Sequence, residues 1–361
     1  MLMQTRLLSR FRRRKTMRIK LITGCLLVLM WVGAASAQIE NEQTITKTGT
    51  TSAQFLKIGV DARGSSMGSA FVAAEGDISS MFWNPAGLGH LRGMETVFVH
   101  NQWLADINFN YAAFAFNMGS AGVLGFSLTS LMVPDDVVRT VENPEGTGEL
   151  FSASDLALQM TYSRRLTDKF SIGGSVKYIQ QTIWHSRANA VALDIGALFT
   201  TPFKGIRLGA SLSNFGNDMR MNGRDLRFSQ DPDPNNQGNV EFVNALYETD
   251  AFPLPLLFRV GIAGELTKTD QMRITYAIDA INPNDNRESI NAGLEFVFSE
   301  LLYVRTGYTS AFQGDREEGL TYGGGLHYRV RGSSAKIKID FARARFNRLS
   351  NVNRFAIGIS F

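Results

Sequence analysis

From residue 94 to the end of the chain, segments of about ten residues alternate apolar side chains with small or polar ones. A period of two places successive side chains on opposite faces of an extended strand, so each segment has one oily face and one wet face. Ile206, Leu208, Ala210 and Leu212 alternate with Arg207, Gly209, Ser211 and Ser213; Met272, Ile274, Tyr276 and Ile278 alternate with Arg273, Thr275, Ala277 and Asp279. Strands of a soluble sandwich usually run to about five or six residues. Many of these are long enough to cross a bilayer at a tilt. The charges keep to the wet face: Lys177, Arg207, Arg259, Arg273, Arg305, Arg329, Lys336, Lys338 and Arg354, against Asp194, Glu265, Asp279, Glu295 and Asp340. An Arg or Lys turned to lipid costs roughly 2–4 kcal/mol at the midplane, so the charged face is the inner one.

Fourteen such segments are expected, at 94–101, 108–118, 121–131, 154–165, 169–184, 189–200, 205–214, 255–266, 271–281, 289–298, 301–309, 319–330, 334–343 and 351–361. The second, fourth, sixth, eighth, tenth and twelfth connections are short, and the others include 132–153 and 215–254. Bacterial barrels have short periplasmic turns and longer outer loops. The expected fold is therefore all-β: a 14-stranded antiparallel transmembrane β-barrel in the cell outer membrane, with a periplasmic N-terminus and outer-membrane lipid around it.

The leader accounts for the positive charge. Eight of the 37 Lys and Arg residues fall within the first 37 positions, which carry no acid, leaving 29 basic against 33 acidic residues. Nothing in that balance calls for nucleic acid. Residues 18–37 read as a basic start, an apolar stretch from Leu21 to Val32 and the cleavage pattern Ala35-Ser36-Ala37, which predicts a signal peptide over 1–37, initiated at Met1 or Met17. Cys25, the one cysteine, lies inside it, so the mature chain has no Cys chemistry. His90, His100, His185 and His327 are scattered without metal-ligand spacing. No nucleophile–base–orienter set is visible; neither an enzyme nor a cofactor is expected. The stretch Asp231-Pro232-Asp233-Pro234-Asn235-Asn236 reads as a solvated loop, since its prolines prevent the compact turn of a Ca²⁺ loop.

A barrel of fourteen strands is too wide for its own side chains to fill. Residues 38–93 precede the barrel of 94–361 and are the expected N-terminal plug, or hatch, with a short helix near Ser65–Ala74. The mixed signs of the inner charges suit pairing across the wall and with the plug better than a single-sign filter. Trp103 and Trp184 fall at outer strand ends, where an aromatic belt is expected. Gly323-Gly324-Gly325 reads as close plug contact or a kink in the wall.

The run from Phe55 through Asp61 and Arg63 to Gly64, then Met67-Gly68, Asp77 and Trp83-Asn84-Pro85-Ala86-Gly87-Leu88, resembles the N-terminal signature of the PorV/PorQ family. That family is grouped with the FadL-like long-chain fatty acid transporters. Leu212-Ser213-Asn214-Phe215-Gly216, followed by Phe252-Pro253-Leu254-Pro255 and Phe258-Arg259-Val260-Gly261, is similar to a second feature of these barrels. The resemblance implies a type IX secretion system component that accepts secreted cargo with C-terminal sorting domains and passes it to attachment-complex subunits. It also leaves a second function in view, passive transport of fatty acids or other hydrophobic molecules. The plug motif residues would be Asp61, Arg63, Trp83, Asn84, Pro85, Ala86 and Gly87. Cargo or ligand would meet the outer-loop residues Leu131, Met132, Val133, Phe242, Leu246, Tyr247, Phe252 and Leu254.

The chain ends Arg354-Phe355-Ala356-Ile357-Gly358-Ile359-Ser360-Phe361, which resembles the C-terminal signal read by the barrel-assembly machinery. Phe361→Asp is expected to lower the amount of folded barrel in the outer membrane severalfold by quantitative immunoblotting. Wild-type levels of the variant would remove Phe361 as an assembly signal.

Overall fold

The computed structural model describes residues 47–232, 242–313 and 317–361. The expected signal peptide, the start of the plug and the loop tip at 233–241 lie outside the described residues. Fourteen strands form the wall: β1 (Met94–Gln102), β2 (Asn108–Asn117), β3 (Val123–Met132), β4 (Ala153–Arg165), β5 (Phe170–Ile183), β6 (Ser186–Thr200), β7 (Arg207–Gly216), β8 (Leu257–Lys268), β9 (Met272–Pro283), β10 (Ser289–Phe298), β11 (Leu302–Ala311), β12 (Glu318–Arg329), β13 (Lys336–Phe346) and β14 (Val352–Ser360). Each pairs antiparallel with the next, and β14 returns to β1 with Gly358 opposite Val97, which closes the ring.

Burial along the strands runs opposite to that of a soluble protein. Phe98, Phe126, Ile195, Phe258, Phe355 and Ile357 are exposed, whereas Lys177, Asp194, Arg259, Asp279, Glu295 and Arg305 are buried. An apolar outer surface around a polar interior is the pattern of a wall solvated by lipid. Arg329 departs from the expected inner set: it is exposed, because it is the last residue of β12 and stands beyond the packed lumen.

The six connections expected to be short, the second, fourth, sixth, eighth, tenth and twelfth, lie at one end of the ring. The other end carries the loops at 133–152 and 217–256, and both continue as small folded extensions. Asp136–Val137 pairs with Leu150–Phe151, Met219–Arg220 with Ala251–Phe252, and Arg227–Gln230 with Val243–Leu246. The connection between β5 and β6 is shorter than the sequence pattern suggests. Pairing continues to Ile183 opposite Ser186, so only Trp184 and His185 turn, with Trp184 at φ 51°. This raised hairpin meets the larger loop, where Asn222–Gly223 pairs with Arg187 and Ser186.

Residues 47–93 occupy the lumen, since their hydrogen bonds reach inward-facing groups around the ring: Gln159, Ser171, Arg207, Asp279, Glu295 and Thr321. Their helix is earlier and shorter than expected. α1 (Ala62–Ser66) begins where the Asp61 side chain accepts the Gly64 amide at 2.6 Å, an N-cap, and is capped at Met67 just before Gly68, whose φ of +67° turns the chain out of the helix. A second helix, α2 (Ser80–Trp83), leads into a 3₁₀ segment, Pro85–His90.

Glycine on the inner face sets how closely wall and plug approach. A β-carbon at Gly307 would sit 2.0 Å from the Gly68 amide nitrogen, and one at Gly323 would sit 2.8 Å from the Ser66 β-carbon. The Gly323 contact is the close plug approach expected of the triple-glycine run. Gly307→Val is expected to destabilise the folded barrel by roughly 1–3 kcal/mol through overpacking. The check is the temperature at which the folded band is lost in semi-native electrophoresis; an unchanged temperature would mean that the plug backs away without cost.

Candidate functional site

The plug signature is a set of locks between plug and wall. Trp83 donates its indole N–H to Asp61 Oδ1 at 2.7 Å, so the cap of α1 and the end of α2 share one carboxylate. Asn84 donates Nδ2–H to the Val72 carbonyl at 2.7 Å and to the Ala197 carbonyl of β6 at 3.1 Å, while its Oδ1 accepts from the Ala86 amide. Pro85 suits the first position of the following 3₁₀ segment, where a backbone N–H has no internal partner. The Ala86 carbonyl accepts from the hydroxyls of Ser163 and Ser171, and the Gly87 carbonyl accepts from the Gly76 amide.

Arg63 ties this assembly to the opposite wall. Its guanidinium meets Glu295 through two bonds of 2.7 and 2.8 Å and reaches Asp77 at 3.0 Å. Glu295 also accepts from Arg305, which bonds Asp340 at 2.6 Å; His327 lies 3.0 Å from the same Asp340. Charges in a low-dielectric interior persist only when paired. Glu295, Arg305 and Asp340 of the inner strand faces thus form a connected network with Arg63 of the plug. Asp77 and His327 stand at its two ends, through Arg63 and Asp340, while Glu95 pairs separately with Lys338; sequence periodicity alone did not single these three out. Glu295, Arg305 and Trp83 are buried, which makes mid-barrel a packed interior.

Above this packed layer, at the long-loop end, lies a cavity of about 610 Å³ between the strap 51–59 and the wall. Phe55, Ile58, Trp103, Leu131 and Phe346 line it together with Asp155, Gln181, Glu318 and Arg354. Thr51, Gln54 and Lys57 all bond Asp285, in the loop after β9, and hold the strap in place. Burial pushes the Asp285 carboxyl up, but these donors outweigh it and hold it below its ordinary range. Trp103 is not part of an aromatic belt. It lies just past the end of β1 and turns into the cavity, edge-to-face with Phe346 at 5.7 Å.

The loop residues expected to act together are divided. Phe242, Leu246, Tyr247 and Phe252 are exposed, with Tyr247 stacked on Phe228 at 4.4 Å. Met132 is also exposed, at the end of β3, and Val133 is half-buried. Leu131 belongs to the cavity wall, and Leu254 is buried in the core at 3% exposure. A polar cluster joins the three elements of the rim: His185 lies 2.8 Å from Asp225 and 2.7 Å from Arg224, with Glu149 at 3.8 Å. Its members are far apart in sequence and share no motif. Phe361 is exposed, and its backbone pairs with Met94 in both directions, which joins the last residue to the first strand.

A closed fourteen-strand wall around an N-terminal segment defines an outer-membrane β-barrel, and solved bacterial transporters share the fold. The Ralstonia pickettii toluene transporter TbuX shares it at 13% identity, with a TM-score of 0.52 over 84% of this chain and 98% of that one. The Pseudomonas putida toluene transporter TodX does so at 11% identity and a TM-score of 0.50, over 84% and 97% of the two chains. A deltaS2S3 mutant of the TodX monoaromatic hydrocarbon channel gives 12% identity and a TM-score of 0.53, over 84% and 98%. At these identities the likeness is one of fold. No curated protein matches the sequence. The family described as type IX secretion system protein PorV matches residues 38–219, half of the chain, and the chain belongs to it.

Arg63→Met leaves Asp77 without its guanidinium and Glu295 with one cation in place of two. It is expected to cost about 3–5 kcal/mol, the range for breaking a buried ion pair. Chemical unfolding followed by Trp fluorescence measures this, and a loss below about 1 kcal/mol would reduce the pair to an incidental contact.

Proposed function

We propose that this barrel is a type IX secretion system component that receives secreted proteins at the cell surface and holds them for transfer to the attachment machinery. In this reading the N-terminus is periplasmic and the long-loop end faces outward. The observation that carries the reading is the folded extension of loop 217–256. It leaves Leu246 exposed on a paired strand and Phe242 and Tyr247 exposed at that strand's two ends. Exposed apolar groups on an ordered support are what a protein partner needs. The packed charge network at mid-barrel favours docking at the rim over passage through the lumen. The role calls on no catalytic residue and no cofactor.

One observation favours a second reading, passive transport of hydrophobic molecules: the cavity beneath the loops has aromatic and aliphatic side chains in its wall. The Asn84-Pro85 segment would then have to move to let a ligand leave. Capture would be driven by removing apolar surface from water.

Native purification from the outer membrane, with mass spectrometry of co-purifying proteins and extracted lipids, separates the two. Secreted proteins with a common C-terminal sorting domain are expected. A stoichiometric oily molecule without protein partners would make the barrel a transporter. Phe242→Asp with Leu246→Asp is expected to reduce retained cargo about tenfold or more, as removal of interface anchors does, while the folded barrel is unchanged in semi-native electrophoresis. Undiminished retention would move the docking site off this loop.

A further inference from the structure

The lipid-facing wall is not evenly covered. Toward the short-turn end of β4 to β8 its outward face dips. Gly174, Ala197 and Ala210, on three adjacent strands, form the floor, and the larger Tyr162, Ile195 and Phe258 stand around it. The groove measures about 530 Å³, within the usual size of ligand sites, and its lining is apolar almost throughout. It is a fixed feature of the surface. Directly behind the floor the inward Gly173 and Gly196 rest on the plug: a β-carbon at Gly173 would collide with the Pro85 carbonyl, and one at Gly196 with the Asn84 side chain. Strands and plug are locked together at this place. An unfilled dip beside bilayer chains would forfeit the contacts of its lining.

A row of cations borders the groove on the side of the short turns. Arg164 stands two positions beyond Tyr162 on the same face of β4, directly across from Ile172, which also lines the groove. Lys169 lies in the turn between β4 and β5, and Lys204 in the turn between β6 and β7; all three are exposed. None of the three forms an ion pair among the described residues. Elsewhere on this rim cations have acids: Lys268 meets Glu265 at 3.4 Å, and Arg273 meets Glu300 at 3.3 Å. Asp168 is the one acid within 164–170 and 201–206, so the border is net positive. Unpaired cations at the edge of a hydrocarbon layer extend to the headgroup level and attract anionic lipid. A protein partner would match the apolar groove or the cations singly. A phospholipid has both parts in the right order, a chain along the wall and a phosphate at the rim.

We propose that this groove binds one acyl chain of an anionic phospholipid from the leaflet at the short-turn end, with its phosphate held by Arg164 and Lys169. The inference goes beyond the docking function. It takes from that reading only the periplasmic placement of the short turns, where the leaflet is phospholipid. Fixed lipid at this place would brace the strands that carry Gly173 and Gly196 against the Asn84-Pro85 segment.

The test uses the delipidated full-length barrel in non-ionic detergent and native mass spectrometry. Dioleoyl phosphatidylglycerol is titrated against dioleoyl phosphatidylcholine, with glycerol phosphate as a headgroup without chains. One phosphatidylglycerol is expected to be retained, roughly ten- to thirtyfold tighter than phosphatidylcholine, the range for two cations at a membrane surface. Glycerol phosphate is expected not to displace it. Arg164→Gln with Lys169→Gln is expected to bring the two lipids to equal affinity. Gly174→Leu is expected to weaken both lipids by filling the groove; its β-carbon has room, with the Asp194 carbonyl oxygen nearest at 3.5 Å. The comparison of lipids on the wild-type protein stands even where a variant folds poorly. Equal affinity for the two lipids on the wild-type barrel, or no retained lipid, overturns the proposal. Displacement by glycerol phosphate overturns it in favour of a phosphate site without a chain. Undiminished binding by Gly174→Leu places the lipid elsewhere and overturns the groove.

Discussion

A bilayer offers no partner to a backbone N–H or carbonyl, and every feature of this chain answers to that constraint. A sheet with an edge would leave a row of such groups in hydrocarbon. The pairing of Met94–Gln102 with Val352–Ser360 removes the edge, down to the exchange between Met94 and Phe361. An even number of strands lets the last run antiparallel to the first. With the backbone satisfied, the outward side chains need only be apolar, and the inward ones are free to carry charge.

Closure creates the next problem. Fourteen strands enclose more space than wall side chains fill. Residues 47–93 fill it, and they do so with polar locks as much as with apolar packing. Asp61 binds Trp83 and caps α1; Asn84 spans Val72 and β6; Arg63 reaches across to Glu295. Glycines at 307 and 323 let the plug backbone come within contact distance of the wall. The ion pairs hold register here: Arg63 of the plug meets Glu295 of the wall and Arg207 of the wall meets Glu75 of the plug, so a shifted plug would strand several charges at once.

The packed layer divides the barrel. Below it are short turns; above it are the cavity, the strap held by Asp285 and the folded rim. The two-residue turn at Trp184 and His185 matters to this arrangement. It raises β5 and β6 into a ledge on which Asn222–Gly223 pairs, and it sets His185 beside Asp225 and Arg224 of the larger loop. The apolar groups on that loop are thereby presented on a support tied to the wall.

Alternation determined a great deal without any tertiary knowledge. Strand direction, number and inner face follow from a period of two, because lipid on one side and a polar lumen on the other leave one consistent arrangement. β10 begins at Ser289 and ends at Phe298, as its alternation implies, and β1 begins at Met94. The plug motif was visible as a pattern, and so were most of the lumenal charges. Which charge meets which was not. Arg63 and Glu295 are separated by 232 positions and adjoin only because the ring closes around the plug. The position of α1 depended on the Asp61 cap and on Gly68, local chemistry that a composition rich in Gly, Ala and Ser obscures. Trp103 and Leu131 have the pattern of belt and loop residues, yet they line a cavity, and Leu254 is buried where the pattern suggested a docking surface. Strand patterning reports which face a residue occupies; beyond strand ends, only the folding of the loops over the mouth decides what it touches.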